Sequence, residues 1–135
     1  MNIQIKKLDA FGADWSAAVA RLYAFEGWIG GGDDPSHINT AIRNSYCAFG
    51  AFDGALMVGF FRALSDGVSD GYLLDLVVDP AYRGCGIGSM LTEAVLAELK
   101  KAGLDWVTCI ANPGVDKLYG RFGKPMDGFT PMRFR

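Results

Sequence analysis

Short stretches of alternating apolar and polar residues are interleaved along this chain with stretches of helical spacing. Ile3 to Leu8 alternates as a strand does. Asp14 to Tyr23 is helix-like, with Trp15, Ala18, Val19 and Leu22 on one face. Gly30-Gly31-Gly32 breaks the chain, and Asp33-Asp34-Pro35-Ser36 opens a second helix through about Ser45. Tyr46 to Ala51 and Ala55 to Leu64 are predicted strands with a hairpin signal, Asp53-Gly54, between them. Tyr72 to Val78 is nearly continuously apolar, the pattern of a central strand buried on both faces, and Asp79-Pro80 stops it. A helix is expected from about Gly86 to Lys101, with Ile87, Leu91, Ala94, Val95 and Glu98 on a rolling face. Lys100, Lys101 and Gly103 suit its C-terminal end. Trp106 to Ala111 reads as another strand, Val115 to Arg121 as a short helix after Asn112-Pro113-Gly114, and Phe129 to Arg135 as a last strand. No linker, repeat or low-complexity stretch interrupts the pattern, so residues 1–135 are expected to form a single domain.

Composition narrows the function classes. Half of the 135 residues are apolar, enough for a real core, and the formal net charge is −2. A nucleic-acid partner, which usually meets a basic excess or stripe, is disfavoured. No apolar run approaches a membrane span, and the N-terminus lacks the features of a signal peptide. Cys47, Cys85 and Cys109 are odd in number and have neither metal-ligand nor redox spacing. No metal is expected, and a reducing cytoplasmic location is the natural reading.

The chemistry-bearing segment is Arg83-Gly84-Cys85-Gly86-Ile87-Gly88-Ser89, where a strand runs into a helix. Glycines let a ligand approach the backbone closely. The first N–H groups of a helix are unpaired and carry partial positive charge, so together they suit a phosphate or pyrophosphate. A P-loop is excluded, because no Gly-x-x-x-x-Gly-Lys-Ser/Thr run exists. A dinucleotide fingerprint fails as well: from Gly84 its last position is Ser89, and from Gly86 it is Leu91.

The run Arg-Gly-x-Gly-Ile-Gly, preceded by Val-Val-Asp-Pro, resembles the signature of the GNAT N-acetyltransferases. Asn112, seven residues before Tyr119, and Leu118-Tyr119-Gly120-Arg121-Phe122-Gly123 resemble that family's downstream element. Gly59 to Gly67 resembles the hairpin of short members related to glucosamine-phosphate and arylalkylamine N-acetyltransferases. The resemblance covers about residues 47 to 125. It implies an α/β fold with a mixed, mostly antiparallel sheet of six or seven strands, splayed at the coenzyme A site, and about four helices. It also implies that acetyl-CoA donates an acetyl group to a small primary amine in a ternary complex. By the same resemblance, Arg83, Gly84, Cys85, Gly86, Ile87, Gly88 and Ser89 would hold the CoA pyrophosphate, mainly by backbone N–H groups. Leu76, Val77 and Val78 would pair with the pantetheine arm, Asn112 and Lys117 would contact the cofactor, and Tyr119 would lie near its sulfur. A CoA-binding regulatory module without catalysis is the competing reading.

Transfer to an amine needs a neutral nucleophile, donors for the oxyanion and an acid for the departing thiolate. Tyr119 is the candidate acid, and a backbone N–H near Leu76 or Val77 is the candidate oxyanion donor. Asp75 is the odd residue in its apolar strand, where alternation groups it with Leu73 and Val77, opposite Leu74 and Leu76. Burial of a carboxylate suits a general base, but Asp75 reads equally as an anchor for a cationic amine or as a structural carboxylate. Trp28 and Arg62 are candidate acceptor contacts, Arg62 alternatively being a solvated strand-end residue. Phe25, Phe60, Phe61, Tyr72 and Met132 read as pocket lining or as core, with core preferred. Asp33 and Asp34 read as helix-starting residues in preference to groups that attract a cationic substrate, and His37, the only histidine, as a surface or capping residue in preference to a base. Cys85 is expected to have no catalytic role, because a thiolate there would repel pyrophosphate. Cys47 and Cys109 read as buried fillers. The apolar tail, Phe129 to Phe134, is the expected contact of a homodimer.

Overall fold

A strand forms at each predicted run but the last, and Gly54-Ala55, one residue on from the predicted Asp53-Gly54, turns the chain between two of them. In the computed structural model, which describes all 135 residues, β1 (Ile3–Lys7), β2 (Cys47–Asp53), β3 (Leu56–Ser65), β4 (Asp70–Val78) and β5 (Trp106–Cys109) make one sheet in the order β1-β2-β3-β4-β5. The first three pairings are antiparallel and β4–β5 is parallel. Helices α1 (Ser16–Phe25) and α2 (His37–Arg43) cover one face, and α3 (Ile87–Lys101) with α4 (Asp116–Tyr119) lies on the other.

Each face has its own core. Val19, Leu22, Ile38 and Ile42 pack on Phe52, Met57, Phe60 and Val77. Ile87, Leu91, Val95 and Leu99 pack on Phe49, Val58, Phe61 and Leu73. Each such side chain, fully buried, contributes about 1.5–3 kcal/mol relative to exposure. Phe60 and Phe61 are therefore core and do not line a pocket. The buried stripe of α3 ends on Leu99; Glu98 lies at its margin, where it accepts a hydrogen bond from Lys7 Nζ at 2.8 Å.

Two expectations are corrected. The sheet has five strands, not six or seven. The difference lies in the tail, where Phe129 to Arg135 is unpaired coil and Phe129, Met132 and Phe134 stay largely exposed. Pro131 brings no N–H to a ladder there, and no other element covers these side chains. The second helix begins at His37, because Asp33 and Asp34 shape the turns before it: Asp33 Oδ2 accepts from Gly30 N–H at 2.7 Å and Asp34 Oδ1 from Ser36 N–H at 2.9 Å. No helix is long and apolar enough to cross a membrane.

Candidate active site

The loop from Arg83 to Ser89 is set by backbone geometry. Asp79 caps the 3-10 turn Pro80–Tyr82, accepting from Ala81 N–H at 2.9 Å, and pairs with Arg21. Gly84 and Gly86 follow in the left-handed region, with φ of 78° and 80°. The first helical hydrogen bond of α3 runs from Met90 N–H to Gly86 O at 3.0 Å, which leaves the N–H groups of Ile87, Gly88 and Ser89 without helical partners. Ile87 buries its side chain in the core and offers only its backbone. Gly88 lets α4 approach closely, since a Cβ there would lie 3.2 Å from Leu118 Cδ1. Cys85 is exposed.

Beside the loop, the sheet opens. β4 and β5 pair only from Asp70 with Trp106 to Leu73 with Cys109. β4 then runs on from Leu74 to Val78 without β5 beside it. On its other side, β4 pairs Leu74 with Arg62 and Val77 with Phe60, so Asp75 and Leu76 stand opposite the single residue Phe61. This is a β-bulge. Asp75 carries it with a φ of 66°, the one non-glycine residue in the left-handed region. Such a conformation costs on the order of 1–3 kcal/mol unless its surroundings hold it. The bulge corrects the predicted facing of the strand. Leu73 packs toward α3 and Val77 toward α1 and α2, so Asp75 does not share one face with both.

Asp75 Oδ2 accepts from Tyr23 Oη and from Arg62 Nε, both at 2.8 Å. Arg62 Nη1 also reaches Ser45 Oγ at 3.3 Å. Arg62 is thus an interior residue of β3 with a side chain only 15% exposed, not a solvated strand-end residue. Burial, and then the neighbouring Asp75 charge, pushes the Tyr23 phenol well above its usual range, so Tyr23 remains a donor. Trp28 stacks edge-on against Tyr23, with ring centroids 5.2 Å apart. Trp28, Arg62 and Asp75 are therefore brought together, through Tyr23, on the α1 face. Tyr119 lies on the opposite, α3 face, stacked on Phe61 at 6.2 Å. Burial is the main cause that raises its phenol well above the usual range and keeps it protonated.

Three comparisons bear on this arrangement. A model of the acetyltransferase (GNAT) family matches residues 9–123. The chain belongs to the GNAT family. An uncharacterised N-acetyltransferase ycf52 of Porphyra purpurea is 32% identical over 78 residues, covering 56% of this chain and 45% of that protein. The chloroplastic serotonin N-acetyltransferase 2 of Oryza sativa subsp. japonica is 36% identical over 70 residues, 52% of this chain and 35% of that protein. The chain thus matches less than half the length of these curated relatives. A solved GNAT acetyltransferase of Streptococcus pneumoniae superposes with a TM-score of 0.82 at 27% identity, covering 99% of this chain and 98% of that one.

Against the GNAT pattern, several positions differ from expectation or add to it. Arg83 turns away from the loop: its Nε donates to Val78 O at 3.1 Å and its Nη2 pairs with Glu26 Oε1 at 3.1 Å. Arg121, a member of the Leu118–Gly123 element, donates from Nη1 to Ser89 Oγ at 3.2 Å and so brings a cation to the start of α3. Its place two residues after Tyr119 was the available signal. Asn112 lies exposed just beyond β5, and Lys117 is exposed on α4. His37 is exposed, with Nδ1 3.1 Å from Asp34 O. Tyr23 was missed altogether, because nothing in a helix sequence says which strand residue its hydroxyl will meet.

Proposed function

We propose that this chain is an acetyl-CoA-dependent N-acetyltransferase acting on the primary amine of a small molecule by direct attack in a ternary complex. The observation that carries this reading is the opening between β4 and β5, flanked by the N-terminus of α3 on one side and by Tyr119 above Phe61. CoA fits these residues. The free N–H groups of residues 87–89, with Arg121 beside them, suit its pyrophosphate, and the unpaired stretch of β4 offers backbone groups to its pantetheine amides. Val78 O already accepts from Arg83 Nε and has a second lone pair to offer the arm.

The neutral amine nitrogen bonds to the thioester carbonyl carbon, and the C–S bond breaks. The nitrogen sheds one proton to solvent or a base, the thiolate takes one from Tyr119 Oη, and a proton from solvent restores the Tyr119 phenol. Backbone N–H groups at the β4 bulge stabilise the intermediate oxyanion. A free alkyl amine has a pKa of about 10, so turnover rises with pH as the amine deprotonates. The Tyr119 phenol is raised, so its ionisation limits turnover only above the ordinary phenol value of about 10.

Cys85 gives an independent check of the CoA site. Burial pushes the Cys47 thiol up to about 11, and burial also raises Cys109, so Cys85 is the thiol expected to react first with iodoacetamide. Saturating acetyl-CoA, whose sulfur is blocked as the thioester and does not consume the reagent, should slow that reaction severalfold; equal labelling with and without acetyl-CoA places the pyrophosphate elsewhere. Direct transfer is tested by initial-velocity kinetics over both substrates. Intersecting reciprocal plots and an unmodified chain after exposure to acetyl-CoA are expected. Parallel plots with an acetylated Cys85 would replace direct attack by a two-step transfer.

A further inference from the structure

We infer that Asp75 is a positioning residue: clamped by Tyr23 and Arg62, it pins the β4 bulge so that strand backbone is held toward the thioester. The inference rests on the acyl-transfer reading above. Both hydrogen bonds converge on one atom, Oδ2, at 2.8 Å each, and their donors come from α1 and β3. One carboxylate oxygen thus ties three elements together at the residue where the β3–β4 register slips. A bulge is the least constrained part of a ladder, because its extra residue has no partner across the strand pair. Here the side chain supplies the missing constraint. It holds a φ of 66° that aspartate tolerates better than most residues. It also fixes which way β4 faces beyond the bulge, with Val77 against α1 and α2, and Leu76 and Val78 toward α3. Ser45, bonded to Arg62 Nη1, holds the guanidinium from behind. Tyr23 and Arg62 act through Asp75 and are positioning residues too.

Three substitutions at Asp75 separate this role from proton transfer. Asp75→Asn keeps the shape, accepts both donors on its carbonyl oxygen and tolerates the left-handed region, but cannot take up the amine proton. Asp75→Gly keeps the backbone freedom and loses the clamp; Asp75→Ala loses both. Pinning predicts that Asn stays within roughly threefold of the parent kcat and keeps the acid limb of the pH profile, whereas Gly and Ala lose tenfold or more with KM for acetyl-CoA little changed. Tyr23→Phe should lower kcat by less than Ala does and add nothing to the Ala variant. If Asn falls as far as Ala and loses the acid limb, the carboxylate moves a proton and the inference is wrong. Full turnover in the Ala variant would overturn it as well. A parent chain that releases no thiol with any amine would defeat the acyl-transfer reading instead. The clamp is then judged by NMR backbone shifts of residues 74–77, which should be preserved in Asn and altered in Ala; unaltered shifts in Ala reject it.

Discussion

Tyr119→Phe lowers kcat by about 10²-fold and leaves KM for acetyl-CoA within roughly threefold, the signature of a proton donor used only as the thiolate departs. The substitution removes one oxygen from a half-buried ring stacked on Phe61 and leaves the ring in place. No hydrogen bond inside the protein accounts for that hydroxyl: the causes that raise its pKa are burial first, then the neighbouring Cys109 and Tyr72 groups. Loss of a structural hydroxyl would instead appear as a lower melting temperature with turnover retained. Because burial favours the neutral phenol, kcat should not fall between about pH 7 and pH 10, where an ordinary phenol is already half ionised. Unchanged turnover in the Phe variant takes Tyr119 out of the chemistry.

Gly86→Val raises the Kd for CoA about tenfold or more, equivalent to about 1.4 kcal/mol per decade. The reason is conformational and not steric crowding. A Cβ at position 86 would meet nothing within 4 Å, but the residue caps α3 at a φ of 80° and a ψ of 9°, where a β-branched side chain is strained by on the order of 1–3 kcal/mol. The loop relieves that strain by turning, and the N–H groups of residues 87–89 lose their common aim. Gly86→Asn is the control, since asparagine tolerates the left-handed region and should bind CoA nearly as the parent does. Equal affinity in the Val variant means the loop does not hold the pyrophosphate. Isothermal titration with CoA reads both variants without an acceptor amine.

These two residues were legible because local rules place them. A run of glycines between a strand and a helix dictates an anion-suited turn, and Tyr119 stands at a fixed distance from Asn112. Most of the sheet was legible for the same reason, since the nearly continuous apolar runs of β2 and β3 agree with burial from both sides. Asp75 was not. Strict alternation put it with Leu73 and Val77, and only the bulge, a feature of strand pairing that periodicity does not encode, separates those two residues. Its partners were equally hidden, because Tyr23 lies 52 positions away and Arg62 13 positions away along the chain. The tail failed in the opposite way. Met132 and Phe134 alternate with Arg133 and Arg135 as a strand would, but alternation shows only what a strand could bury and supplies no neighbour to pair with.

The most direct measurement is release of free CoA thiol from acetyl-CoA in the presence of a panel of amines: an aminosugar phosphate, an arylalkylamine, a polyamine and an aminoglycoside. The account predicts thiol release that requires at least one of these amines and yields one acetylated amine per thiol. Tight CoA binding without amine-dependent release from any member would contradict it and leave a CoA-binding module in its place.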